Sequence, residues 1–361
     1  MKNILFFCNT YYQLITAIQI KLTLKANDRA SVIITDHSAN AKLISDRLRN
    51  TNIFDGVYFF ETKVSPEDVN LSFRIKAIKN GFFGKFPNGM NKNERFDELI
   101  GFNMDLPTHY VFASLWKKNK NIICNRMEEG LLSYRTPASS SGLLSTLCKL
   151  RSLFRKPNIR QCIESFYCFN PEIYTGDLCP IAIPRIDKEN PKLRDSLEYI
   201  FLSDSKLDTY TQKYIFLSCI YDIDGDAPIG ELELAKKIAD TVGKENLLVK
   251  VHPRDDKSKY EAAGLTVDKN SSIPWEVVCI EQDFSQHVFI TTLSGSILNV
   301  SAMLASAPKS FYGYPLCQTE KNMLAVHFKK VIEDYTGNPK FDAKNIKILY
   351  NIDELYKQKG D

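Results

Sequence analysis

Short apolar runs alternate with longer amphipathic stretches through both halves of the chain. Runs at 4–8, 31–35, 57–60, 110–113 and 121–124 predict strands in the first half, and runs at 214–219, 247–251, 277–280, 288–291 and 310–312 predict strands in the second. Compact apolar runs of this length fit strands buried on both faces. Between them, helical periodicity predicts helices over 13–24, 41–49, 232–242 and 297–304. Strand–helix alternation of this kind predicts parallel sheets. Two such series, separated by the proline-bearing stretch NPEIYTGDLCPIAIPRIDKENPK, predict two Rossmann-like α/β domains. The expected boundaries are an N-terminal domain over 1–185, a linker over 186–210, a C-terminal domain over 211–335 and a helical tail over 336–361. The sequence has no internal repeat and no low-complexity segment.

Two segments break the alternation. FRIKAIKNGFFGKFPNGMNKNERF (73–96) is basic, aromatic and glycine-bearing, which predicts a mobile loop. GLLSTLCKLRSLFRKPNIRQ (142–161) carries Leu144, Leu147, Leu150 and Phe154 alongside Lys149, Arg151, Arg155 and Lys156. As a helix it is basic and amphipathic, so it either lies on an acidic lipid surface or packs its apolar stripe into the core with a solvated basic face.

Composition narrows the class. The 361 residues are 44% hydrophobic and 25% charged, as expected of a globular protein with two ordinary domains. A net charge of +4 is too mild for a nucleic-acid partner and suits an anionic substrate or an acidic membrane surface only weakly. Nine scattered cysteines, with no paired zinc or redox spacing, read as free thiols of a reducing cytosol. The opening MKNILFFCNTYYQL lacks the features of a signal peptide, and no apolar stretch approaches membrane-spanning length. The expected location is therefore the cytoplasm, with the inner face of the plasma membrane in reach.

Several motifs sit where strands are predicted to end, which is where open parallel sheets bind ligands. In LLVKVHPRDD (247–256) the strand halts at His252, Pro253 fixes the departure angle and Arg254 offers a fork suited to phosphate or carboxylate. The alternative is a histidine that merely caps its strand. In TTLSGSILNVSAML (291–304), Ser294, Gly295 and Ser296 lead into a helix whose free N–H groups and positive dipole end suit an anion, although the same residues serve equally as an ordinary N-cap. NRMEEGLLSY (125–134) places Glu128 and Glu129 on a turn at the sheet edge, as a candidate base for a sugar hydroxyl or as solvated first-turn glutamates. YDIDGDAPIGELE (221–233) spaces Asp222, Asp224, Asp226 and Glu233 like a calcium loop. Ala227 nevertheless occupies the required glycine position and Pro228 follows, so no metal site is expected and Asp222 remains a candidate base. In SSIPWEVVCI (271–280), Glu276 follows Pro274 and either accepts from a ribose diol or stabilises a helix dipole.

The order of these motifs, an acidic pair with glycine, strand-His-Pro, Pro-x-Glu and a serine pair, resembles the bacterial sialyltransferases. The opening NILFFCNTYYQLITAIQI is similar to the N-terminal strand and helix of glycosyltransferase family 52, which includes capsule and lipooligosaccharide sialyltransferases. The resemblance implies a GT-B type fold with a cleft between its domains, no metal and no cofactor. It also implies a CMP-N-acetylneuraminic acid donor, bound by the C-terminal domain, and a terminal galactoside acceptor, bound by the N-terminal one. It implies that His252 meets the CMP phosphate, that Ser294 and Ser296 bind it, and that Glu276 binds the ribose. Glu129 would match the proposed base, with Asp222 as the alternative found in some members. Other readings stay open: a glycosyltransferase using a UDP-sugar, or a non-catalytic nucleotide- or glycan-binding protein. An enzyme acting on a lipid-linked glycan would approach the inner leaflet through residues 143–156, and a second copy of the chain is a further candidate partner.

Overall fold

A computed structural model describes residues 1–102, 104–134, 142–203, 207–269 and 273–358. It divides into two compact units, one of Met1–Pro184 with Asp195–Ile200, the other of Arg185–Arg194 with Phe201–Asp361.

The N-terminal unit is built on strands β1 (Asn3–Cys8), β2 (Arg29–Thr35), β3 (Gly56–Phe60), β4 (Glu98–Gly101), β5 (Ile123–Met127), β6 (Ile163–Cys168) and β7 (Cys179–Ala182). They form one sheet in the order β3-β2-β1-β4-β5-β6-β7, with every pair parallel. Ile4 through Cys8 are all buried, as a central parallel strand covered on both faces requires. Helices α1 (Tyr11–Leu22), α2 (Ala41–Asn50), α3 (Leu71–Phe83), α4 (Leu106–Lys118) and α5 (Leu143–Leu153) supply the connections, and α6 (Pro191–Leu202) follows the last strand. The order reverses between β1 and β4, so the switch point of this sheet lies beyond Cys8 and Gly101.

The C-terminal unit repeats the scheme with β8 (Tyr214–Leu217), β9 (Leu247–Lys250), β10 (Thr266–Val267), β11 (Val288–Thr291), β12 (Lys309–Tyr312) and β13 (Ile346–Ile348), again all parallel, in the order β10-β9-β8-β11-β12-β13. Its helices are α7 (Tyr221–Asp224), α8 (Glu231–Val242), α9 (Ser258–Ala262), α10 (Trp275–Glu281), α11 (Gly295–Met303) and α12 (Met323–Thr336). The switch point falls between β8 and β11.

Five expectations are corrected. Residues 110–113 lie inside α4, where Asp105 caps Thr108 N at 3.0 Å and Val111, Phe112 and Leu115 turn inward together. The strand nearby is the four-residue ELIG of β4. Residues 277–280 lie inside α10, where all four apolar side chains are buried, so no polar position among them reveals the helical periodicity. The supposed loop 73–96 opens with α3, capped by Asn70, which accepts from Phe73 N at 3.0 Å. Gly81 within α3 is a packing glycine, since a Cβ there would collide with the Leu147 side chain of α5. The tail 336–361 is not helical throughout: β13 pairs with β12 along the sheet edge, Ser310 opposite Ile346. The segment 186–210 likewise carries a helix, α6, whose Leu193, Leu197 and Ile200 are buried.

Candidate functional site

In the N-terminal unit, β5 delivers the acidic pair to the carboxyl edge of the sheet, and Gly130, at φ 72°, turns the chain there. The two glutamates differ sharply. Glu128 is fully buried and accepts from the Tyr12 hydroxyl at 2.7 Å, from Phe169 N at 2.8 Å and from the Tyr134 hydroxyl, so it ties β5 to α1 and to the segment after β6. Glu129 is half-buried and accepts from the Thr10 hydroxyl at 3.0 Å. Burial raises its pKa; hydrogen bonds from Thr10 and Gln13 oppose the rise, and the negative charge of Asp105 adds to it. Asp105 caps α4 and accepts from Asn9 Nδ2 at 3.0 Å, so Asn9, Thr10, Asp105 and Glu129 gather at the switch point of this sheet. A cavity of about 350 Å³ opens beside the start of α4, lined by Phe60, Phe73, Lys76, Lys85, Leu106 and Tyr110.

In the C-terminal unit, His252 follows β9 and is half-buried. Its backbone N–H donates to Ser218 Oγ at 2.8 Å, and its Nδ1 accepts from the backbone N–H of Arg254 at 3.1 Å. An amide can only donate, so the neutral ring carries its proton on Nε2. Burial, reinforced by the Arg254 guanidinium, holds the ring below its ordinary pKa against the opposing pull of Asp255 and Asp224. His252 is therefore a neutral imidazole that presents an Nε2–H donor. A doubly protonated ring would have to break the Arg254 N–H bond.

Ser294 caps α11. Its Oγ accepts from Ser296 N at 3.2 Å and donates to Ser296 Oγ at 3.0 Å, while Tyr312 pins the Ser294 carbonyl at 2.9 Å. Both serines are half-buried, and the space a Gly295 side chain would enter is open. Asp222 spends one carboxylate oxygen on Ile229 N at 2.6 Å, which closes the loop after α7. Arg254 is exposed and grips Asp224 with both terminal nitrogens, at 2.8 and 3.3 Å, so an anion would have to displace that carboxylate. Glu276 stands in the first turn of α10, with its pKa raised by burial against hydrogen bonding from its own backbone N–H and the attraction of Lys250. Lys250 itself pairs with buried Asp268 at 2.9 Å. Ser271 and Ser272, before Pro274, lie outside the described residues. Among the described residues no group of three or more His, Cys, Asp or Glu is placed to hold a metal, all nine cysteines are unpaired, and no helix is long and apolar enough to cross a membrane.

The family model of the alpha-2,8-polysialyltransferases matches residues 4–305, most of the chain and both switch points. The chain belongs to the alpha-2,8-polysialyltransferase family. Two solved structures share the fold of this family member. An alpha/beta-galactoside alpha-2,3-sialyltransferase from the luminous marine bacterium Photobacterium phosphoreum is 14% identical, with 98% of this chain and 100% of that one covered and a TM-score of 0.52. The calicheamicin glycosyltransferase CalG4 is 12% identical, with 100% and 90% covered and a TM-score of 0.50. At such identities the likeness is one of fold, the GT-B type expected from the sequence. No curated protein matches the chain in sequence.

Reading the polysialyltransferase-family sequence alone passes over two carboxylates. Asp105 sits in a segment whose helix reads as a strand, so its capping role has no local signal. Glu231, the first residue of α8, is buried beneath the serine loop. Its carboxylate accepts from the Thr292 hydroxyl at 2.7 Å and from Cys219 N at 2.8 and 3.0 Å, joining the ends of β8 and β11. Its only sequence signal is a glutamate directly after glycine in GELE.

Proposed function

We propose that this polysialyltransferase-family chain transfers sialic acid from CMP-sialic acid to a hydroxyl of a bacterial surface glycan, with inversion and without a metal. The observation that carries the reading is the paired-serine cap of α11 at the switch point of the second sheet. Free N–H groups, two hydroxyls and the positive helix end offer a monophosphate a site that needs no cation. His252 would add its Nε2–H to that leaving group as a hydrogen-bond donor, since its ring is held neutral. Glu276 would take the ribose. Glu129 would remove the proton of the acceptor hydroxyl, and its raised pKa suits a base working near neutrality. Asp222, with one oxygen already committed to Ile229 N, is less free to do so. The alpha-2,8 linkage in the family description supports the hydroxyl of a terminal sialic acid as the acceptor.

The test is release of CMP from CMP-sialic acid by the purified protein in EDTA, with a sialylated oligosaccharide, a β-galactoside or no acceptor. Release stimulated by the sialylated acceptor is expected. Stimulation by the galactoside alone would keep the donor and move the acceptor to the one the sequence resemblance implied. Turnover of UDP-sugars instead would overturn the donor. His252→Ala should lower the stimulated rate by about 10²–10³-fold, the usual loss for one donor to a developing anion; near-wild-type turnover would remove His252 from the mechanism.

A further inference from the structure

The apolar stripe of α5 does not face solvent. Leu147 is buried against Gly81, Leu144 and Leu150 are half-buried, and Arg151 is buried, donating to the Gly81 carbonyl at 3.0 Å and the Pro157 carbonyl at 2.8 Å. The exposed apolar side chains stand at the end of the helix. Leu153 is 77% exposed and Phe154 58%, and beside them stands Phe83, 53% exposed, from the end of α3. Phe82 links the two, with ring centroids 5.0 Å from Phe83 and 5.3 Å from Phe154. Arg155, at φ 53°, occupies the left-handed region that non-glycine residues rarely adopt, and its N–H closes back on the Ser152 carbonyl. The exposed tip is thus a fixed turn, stapled from beneath by Arg151.

Cations surround it. Lys156 lies 3.8 Å from the Phe82 ring centre, Lys117 lies 5.4 Å from that of Phe83, and Lys120 covers Trp116 at 3.4 Å. None of the three has a carboxylate partner among the described residues. Burial and the crowding of Arg151, Lys117 and Lys120 hold the Lys156 ammonium below its ordinary pKa, the mark of a positive cluster without counter-charge. Anionic ligands of any kind would relieve that crowding, but a polysaccharide gives nothing in return for exposed Leu153, Phe154 and Phe83. A bilayer takes both, the lysines at its headgroups and the apolar side chains below them. The patch also lies at the far end of α4 from Asp105, about 20 Å along a helix of this length, so a docked lipid surface leaves the rim around Glu129 uncovered.

We infer that the turn Leu153–Lys156, with Phe83 and the lysines at the end of α4, is a docking site for an anionic lipid surface, in place of the helix stripe that the sequence suggests. The inference does not depend on the donor or acceptor. Its test is sedimentation of the full chain with phosphatidylcholine vesicles and with phosphatidylcholine–phosphatidylglycerol vesicles. Binding to the mixed vesicles alone is expected. Leu153→Ser should weaken it about tenfold, the value of one well-inserted apolar side chain. Lys117→Ala/Lys120→Ala should weaken it by about fivefold for each lysine removed. Unchanged melting temperatures would show that both variants fold. Equal binding to neutral vesicles, no binding, or a Leu153→Ser variant that binds like wild type would each overturn the proposal. The last result, with release of the protein by a soluble acidic polysaccharide, would assign the patch to glycan.

Discussion

The buried carboxyl of Glu231 should make the C-terminal unit lose stability as pH rises. Burial pushes its pKa from 4.5 up to about 7, outweighing the hydrogen bonds from Thr292 and Cys219, and the charge of Asp222 adds to the rise. Between these values the unfolded chain has released the proton that the folded chain still holds. Each pH unit gained in that window therefore favours unfolding by about 1.36 kcal/mol. The stabilisation is fully present below pH 4.5, lost as pH rises to about 7 and constant above it, for a total of about 3 kcal/mol. Glu231→Gln has no proton to release and keeps one oxygen for the Thr292 hydroxyl and the Cys219 N–H. The assay is urea unfolding of both proteins from pH 4.5 to 8, in a Trp116→Phe background that leaves Trp275 as reporter of the C-terminal unit. Wild-type minus variant stability should fall by about 3 kcal/mol across the window. A flat difference would mean that Glu231 is ionised throughout and that its burial is offset by donors, which would refute the reasoning.

Other outcomes follow from the proposed roles. Glu129→Gln should cut acceptor-stimulated CMP release by about 10²–10⁴-fold while slow hydrolysis of the donor persists, because only the acceptor needs the base; equal loss of both activities would move Glu129 out of that role. A base acts when unprotonated, so the acid limb of the transfer rate should lie above the ordinary carboxylate range. Thr10→Val, which removes a bond favouring the charged form, should shift that limb to higher pH; an unmoved limb in a pH–rate profile would count against it. Ser294→Ala should cost about 1 kcal/mol of stability as a lost cap and also raise the KM for CMP-sialic acid. A stability change with no change in KM would leave the serine as a cap alone.

How far the sequence carried depended on how local each signal was. The central strands β1, β2, β8, β9 and β11 are short, apolar and bounded by polar residues, and the sequence pattern found each within a residue or two. It went wrong where burial removed the contrast it depends on. Helix α10 has Val277, Val278, Cys279 and Ile280 all buried, so no polar face marks it as a helix. Strand β4 begins with Glu98, a fully buried charge that looks like surface until the Lys25 ammonium is found 3.0 Å away. Likewise Gly81 read as a loop residue because its reason, the Leu147 side chain, stands 66 positions further on.

The same cause separates the site residues that the sequence exposed from those it hid. His252, Ser294 and Glu129 announce themselves because proline, glycine and serine punctuate the chain beside them. Asp105, Glu231 and Arg151 are charges whose meaning is set by desolvation, and desolvation is made by distant partners: Thr292 is 61 residues from Glu231, and Gly81 is 70 from Arg151. Read locally, Arg151 belongs to a solvated basic face; in the fold it is buried and holds the tip that Leu153 and Phe154 expose. Read locally, Glu231 is a first-turn glutamate; in the fold it joins the strand ends that carry Cys219 and Thr292, the latter two residues before Ser294. A charged side chain that is solvated costs little to move, whereas one that is buried and bonded costs several kcal/mol to unpair. The positions where local pattern implies solvation and the structure imposes burial are therefore those at which substitution should propagate furthest into the site.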